Sequence, residues 1–360
     1  MLCLEGELWL PDGILKEGRI LIREGRIQDL GPKDRVPCPS GWTHRIYHRG
    51  EKILPGFVEA HAHFGLYTEV TAEDRLNRKD SLIAWDYVAG QEMNREDLSF
   101  AAAALEGGIT TACLFPGSGA LIGGVASVVS LSPGIPLLKE VAALKVALGE
   151  NVEGEYSLKT SVLKERLFRL FEEGVPEGNG PLGRALRGEL PVRVHVHREE
   201  DIRTALELKE RFGLRMVLEH ATEAHRCLTA VVDSEVAVVT GPFFVGRPKG
   251  EMRRLDRSLT RSLVEKGVEL CIMSDYPSNP PDMLKMAMLE VVKWGVEERK
   301  ALEMVTLGAA RLLGVEDVVG SLEVGKWGDV VIHSASPFDY GDKILEVYGR
   351  GERLEWPNIG

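Results

Sequence analysis

From Ile53 onward, runs of apolar β-formers alternate with segments of helical period, and this alternation constrains the fold more than any other feature of the chain. The strand-like runs are 53–58, 110–115, 125–131, 142–148, 192–196, 215–219, 236–240 and 269–273. Helical patterns cover 98–106, 162–173, 202–212, 224–232, 258–266, 283–294 and 298–313. Near-continuous apolar strands are buried on both faces, and strands alternating with helices build a parallel sheet with crossover helices. Eight such strands, with seven helical segments among and after them, predict an α/β (β/α)8 TIM barrel, a fold of roughly 250 residues. The Gly-rich segment 174–188 reads as a flexible loop.

The two ends of the chain differ from its middle. Residues 1–52 carry short β runs separated by turn residues such as Pro11-Asp12-Gly13, which predicts an antiparallel β unit. Segments 328–333 and 344–350 have the same character.

Composition narrows the function classes. With 44 Lys plus Arg against 55 Asp plus Glu, the net charge of −11 argues against a nucleic-acid or anionic-membrane surface. The most apolar stretch, 100–131, is broken by Glu106, Pro116 and several glycines, so buried strands and tight loops explain it better than a membrane span. Acidic residues in the opening Met-Leu-Cys-Leu-Glu-Gly-Glu oppose a signal peptide and point to a cytoplasmic protein. Cysteines at 3, 38, 113, 227 and 271 are scattered without metal-type spacing and suit reduced, packed thiols. Only two Gln and six Asn beside plentiful Glu, Lys and Arg match the bias of hyperthermophile proteins.

In a barrel of this kind the active site lies at the C-terminal ends of the strands, so candidate residues can be tested by position. In Pro55-Gly-Phe-Val-Glu-Ala-His-Ala-His-Phe-Gly65, His61 and His63 stand one residue apart at the end of the first strand. Side chains alternate faces along a strand, so both point the same way and can grip one object. His195 and His197 end the fifth strand, His220 the sixth, and Asp275 the eighth. A lone strand-end histidine is more often a hydrogen-bonded structural residue. Six imidazole and carboxylate donors on one end of a barrel instead suit a divalent metal with a position left for water. His44, His48, His225 and His333 fall elsewhere and read as structural or solvent-facing.

Segment 117–124 offers backbone N–H groups after the second strand, but it lacks the GxGxxG order and any following Lys-Ser/Thr, which excludes a nucleotide loop. Cys227, near His225 on a predicted helix, is a faint nucleophile candidate for which packing is the default.

At these residues the chain resembles the amidohydrolase superfamily, in particular its imidazolonepropionase-like members, over nearly its whole length. Residues 55–63 look like the first-strand His-x-His motif, and Gly107-Gly-Ile-Thr-Thr111 looks like the segment entering the second strand. Val319-Gly-Ser-Leu-Glu-Val-Gly-Lys-Trp-Gly-Asp329 resembles the family's C-terminal signature, with Gly328 where alanine is usual. Glu59 stands where the family often has Asp. The resemblance implies a small composite β-sandwich formed by 1–52 plus 316–360, beside a hydrolase barrel over 53–315. It implies metal ligation by His61, His63, His195 and Asp275, with His195 preferred over His197, which faces the same way and can meet substrate. His220 matches a histidine that either binds a second metal or hydrogen-bonds substrate. A binuclear site needs a bridging carboxylate. Lys145 on the fourth strand, costly to bury charged, supplies one if carboxylated, and Glu150 is the substitute. The implied cofactor is zinc, with iron or manganese as alternatives, as one or two ions.

The expected activity is metal-assisted hydrolysis of a C–N bond in a cyclic amide, N-acyl or dipeptide-like substrate. Asp275 acts as proton shuttle, and His220 or His197 steadies charge on oxygen. The rivals are a mononuclear deaminase acting on an aminated heterocycle and a non-catalytic relative. The expected partner is a small molecule, with no nucleic acid or membrane, and self-association stays open. Specificity is expected in loops 66–94, 174–188 and 241–254, where Arg247, Lys249, Arg253 and Arg254 either meet an acidic substrate or solvate the surface.

Overall fold

The computed structural model describes residues 1–48, 50–68, 73–78, 81–95, 99–174, 178–246 and 249–355. Arg247 lies outside the described residues.

All eight predicted barrel strands form, in one sheet whose spatial order follows the chain: Phe57–Ala62, Ile109–Leu114, Ile122–Ser130, Leu137–Ala147, Val192–Val196, Met216–His220, Ala237–Thr240 and Leu270–Ile272. Nearly every residue in them is buried, because helices cover the outside while the strands pack on one another inside. The first and eighth strands meet at their ends, where His63 N donates to the Tyr276 carbonyl (3.0 Å) and Ser274 N donates to Glu59 Oε2 (3.0 Å). The result is a nearly closed, TIM-barrel-like α/β fold.

The third strand departs from the expected parallel plan. Ile122–Ser130 runs antiparallel to both the second and the fourth strand, with pairs Ser130↔Thr111 and Val125↔Leu144. Only residues 115–121 and 131–136 connect these strands, and a parallel crossover needs about a dozen residues or more. The reversal starts the third strand at the mouth of the barrel, beside the end of the fourth.

Other elements also differ from the sequence reading. The run 53–58 is divided at Gly56: Lys52–Pro55 joins the terminal sheet and Phe57–Ala62 enters the barrel. A Cβ at position 56 would collide with the Thr110 side chain, so the backbone can pass there only as glycine. The helix over 298–313 breaks into Glu298–Glu303 and Leu307–Leu313, and the break frees the Val305 carbonyl to accept from Val58 N (2.7 Å) at the foot of the first strand. Within 174–188, Pro181–Leu186 forms a short helix opened by a proline, which presets φ for a helix start.

Strands from both chain ends share one sheet, in the order Glu352–Arg353, Ile344–Gly349, Val330–His333, Lys52–Pro55, Leu2–Leu10, Gly13–Arg23, Arg26–Pro32, with Thr43–Ile46 also on Leu2–Leu10. It is mixed rather than antiparallel, since Leu2–Leu10 pairs in parallel with Thr43–Ile46 and with Lys52–Ile53. Leu2, Leu4, Leu8, Ile20 and Ile22 form its apolar core with Val330 and Ile332. Among the described residues no helix is long and apolar enough to cross a membrane.

Candidate active site

The predicted donors converge at the C-terminal mouth of the barrel as two adjoining groups. His61, His63 and Asp275 form one, and His195, His197 and His220 the other, with the ligand atoms within each group no more than 4.8 Å apart. The His61 and His220 rings, 6.2 Å apart, join the groups. His195, His197 and His220 pack ring against ring at 4.5–4.8 Å. His220 and Asp275 adopt left-handed backbone conformations (φ 64° and 55°), as the chain turns sharply at the strand ends to aim both side chains inward.

Hydrogen bonds fix which ring nitrogen faces the site. His63 Nδ1 donates to the Phe115 carbonyl (2.7 Å) and His220 Nδ1 to the Gly241 carbonyl (2.7 Å). A carbonyl only accepts, so each Nδ1 carries the proton and each Nε2 keeps its lone pair. His61 Nδ1 faces Glu219 Oε2 at 2.9 Å and His197 Nδ1 faces Thr222 Oγ1 at 2.7 Å. Burial pulls the pKa of His61, His195 and His197 well below the ordinary value and lowers that of His220, so all four are neutral donors at pH 7.

Asp275 Oδ1 stands 3.6 Å from Nε2 of both His61 and His63, and its Oδ2 accepts from Ser278 Oγ at 2.9 Å. Burial alone would raise its pKa, but a hydrogen bond from His63 and the charge of any protonated neighbouring imidazole lower it below the usual carboxylate range. Lys145, on the fourth strand as predicted, is fully buried, and its Nζ lies 5.2 Å from the centre of the Phe115 ring that also stacks on His61. Desolvation pushes its pKa down to about 8 despite Glu219 and Asp275.

Two observations test whether these residues fit a divalent ion. Both ring nitrogens of His195 are buried without a hydrogen-bond partner in the protein, and so is Lys145 Nζ. Such orphans are costly unless something else satisfies them. Neutral imidazoles with oriented lone pairs around one carboxylate are a donor set that a divalent metal satisfies. The residues fit.

Glu150 lies on the rim rather than among the donors, held by Arg198 (3.1 Å) and by Gly250 N (3.1 Å). Cys227 is buried, and its thiol pKa is pushed up to about 11 by desolvation, which removes it as a nucleophile.

Three contributors, Arg193, Glu219 and Glu251, lay outside the sequence reading, and Glu59 entered it only as a departure from the family's usual Asp. Arg193 is ion-paired with Glu219 beneath the site, and both are fully buried. Glu59 ties the first strand to the eighth by accepting from His61 N (3.1 Å) and Ser274 N (3.0 Å), and burial pushes its pKa up to about 7. Glu251, also buried, stands 3.8 Å from His197 Nε2. Charged residues at inward positions of otherwise apolar strands, as in Val192-Arg-Val and Val217-Leu-Glu, were the available signal for the first two.

A cavity of about 400 Å³ opens over the donors. Its floor holds His63, His195, His197, His220 and Asp275, and its rim includes Asn77, Ser118, Asn151, Glu155 and Lys249. Loops 66–94 and 241–254 contribute as expected, whereas no described residue of 174–188 lines it. Arg253 and Arg254 face a neighbouring cleft with Glu150 and Arg198.

Comparison with known proteins agrees with this geometry. A sequence profile of the Amidohydrolase family matches residues 182–354. The imidazolonepropionase of Bradyrhizobium diazoefficiens is 25% identical over 89% of this chain and 88% of its own. The chain is similar to imidazolonepropionases over most of its length, and to the Amidohydrolase family over its second half. A crystal structure of an amidohydrolase from Thermotoga maritima superposes on this chain with a TM-score of 0.88 and 27% identity, covering 99% of this chain and 100% of that one. The 5-methylthioadenosine/S-adenosylhomocysteine deaminase of Symbiobacterium thermophilum is 25% identical over 93% of this chain and 85% of its own.

Proposed function

We propose that this protein is an amidohydrolase that opens a small cyclic amide at zinc, with water as the nucleophile. The observation that carries the reading is His195, whose two unpartnered ring nitrogens sit beside His197 and His220 and one ring away from the His61–His63–Asp275 group. His61, His63, His195, His220 and Asp275 would hold the metal, with carboxylated Lys145 as bridge when two ions are bound. An ion bound there supplies Lewis acidity and makes water acidic enough to deprotonate near neutrality.

The protein's own groups do the rest. Asp275, facing His61 and His63 across 3.6 Å, takes a proton from the water and passes it to the leaving nitrogen. His197, oriented by Thr222, faces the cavity where charge develops on the substrate oxygen and steadies it; a His220 left free of metal does the same.

The deaminase reading is favoured by similarity to the Symbiobacterium thermophilum deaminase. It keeps the same proton shuttle but uses one ion, His220 as a substrate contact and a structural Lys145. The complete donor set opposes a non-catalytic relative. Assay of the zinc-loaded protein against lactams, N-acyl amino acids, dipeptides and aminopurines tests the proposal. Ring opening of a lactam supports it, and ammonia release from an aminopurine without lactam turnover contradicts it.

The same proposal includes the chain's organisation. Residues 1–52 with 316–360 would make up a composite β-sandwich beside the barrel of 53–315; the sheet that joins strands from both ends supports a shared terminal unit and extends it to Pro55. It also includes a cytoplasmic, thermophilic setting, in keeping with free cysteines and scarce Asn and Gln.

A further inference from the structure

A second donor cluster stands in the terminal sheet, away from the barrel. Cys3, Cys38 and His44 place their ligand atoms within 4.8 Å of one another. Residues 3, 38 and 44 have no recognisable metal spacing, and it is the fold that assembles them. Strand Leu2–Leu10 turns Leu2 and Leu4 into the apolar core, and alternation turns Cys3 and Glu5 to the opposite face. Thr43–Ile46 pairs in parallel with that strand and sets His44 directly beside Cys3. The connection between Arg26–Pro32 and Thr43–Ile46 then carries Cys38 over both.

The two sulfurs lie in apolar surroundings. Leu21, Val36 and Trp42 pack around the two sulfurs and shield them. Glu5 Oε2 lies 3.4 Å from His44 Nε2, so a carboxylate orients the imidazole. Burial and the neighbouring Cys38 push the Cys3 thiol up to about 12, with Arg19, held by Glu5 at 2.6 Å, opposing the rise, so the thiols would ionise on binding a metal rather than before it. Two thiolates neutralise a divalent cation, so a bound ion would leave the Arg19–Glu5 pair undisturbed.

We propose that Cys3, Cys38 and His44 bind a thiophilic divalent metal, zinc by chemistry, separate from the barrel site. Soft sulfur with one imidazole selects zinc over magnesium, calcium or manganese. Binding releases the two thiol protons and clamps the 33–42 connection onto the first strand of the terminal sheet. Its role is structural, as His44 and Cys38 lie outside the substrate cavity.

Cobalt substitution of the reduced full-length protein tests this, because the barrel donors include no sulfur. Wild type is expected to show thiolate-to-cobalt charge-transfer absorption and to bind one ion more per chain than Cys38→Ser. That variant should lose the sulfur band while keeping the ligand-field bands of the histidine site, which also reports that it is folded. His44→Ala should weaken the sulfur band. Absence of the band in wild type, or its full retention in Cys38→Ser, would overturn the proposal.

Discussion

Glu219 Oε2 lies 2.9 Å from His61 Nδ1, and the same carboxylate is ion-paired from below with Arg193. This contact holds the His61 ring with Nε2 turned toward Asp275. Glu219→Gln should therefore keep the barrel folded but weaken metal binding by about 10–100-fold, the usual cost of losing a carboxylate behind a ligating histidine. Competition against a chromophoric chelator measures it, and unchanged affinity would show that His61 needs no such support.

Among the described residues, Asp275 is the one carboxylate facing both His61 and His63. Asp275→Asn preserves size and the Ser278 contact but cannot take a proton from water. Turnover should fall by at least about 10²-fold, the low end for loss of general acid–base catalysis. A circular dichroism spectrum and thermal melt should match wild type. Full residual activity would remove Asp275 from the proton path.

Lys145 is buried with no hydrogen-bond partner for Nζ. Lys145→Met keeps the length and removes the charge, so stability should hold or rise. If the amine is carboxylated, bicarbonate should raise metal uptake from two-ion-deficient wild type but not from the variant, as read by metal analysis. Equal stoichiometry in both proteins would assign one ion and a structural lysine.

The sequence made much of this site legible, for reasons visible in particular residues. His61, His63, His195, His220 and Asp275 each follow an apolar strand, and strand ends in a parallel barrel share one face. The direction of Ile122–Ser130 was not legible from its composition, since an apolar run buried on both faces has the same pattern in either sense. Only the short flanking connections carried the signal. Pairing across strands was also hidden. Nothing near His44 in the chain announces Cys3, and only the parallel register puts them side by side. Likewise Arg193 and Glu219, on neighbouring strands, identify themselves only once the strands are aligned.

Asp201 is fully buried, and neither carboxylate oxygen has a hydrogen-bond partner in the protein. Desolvation pushes its pKa from 3.8 up to about 7. A carboxyl whose pKa is raised on folding binds its proton more tightly in the folded state, so stability falls as pH rises from about 4 to about 7. Asp201→Asn removes that dependence. Its stability relative to wild type should climb by roughly 2–4 kcal/mol across that window. Denaturant melts at both ends measure the difference, and a constant difference would show that Asp201 ionises freely in the fold.

The most direct measurement is metal removal and return. The chelated, dialysed protein should lose all hydrolysis of its C–N substrate while keeping its far-ultraviolet circular dichroism, and zinc added back should restore turnover in wild type but not in a His195→Ala variant. Undiminished turnover by metal-free protein would contradict the account.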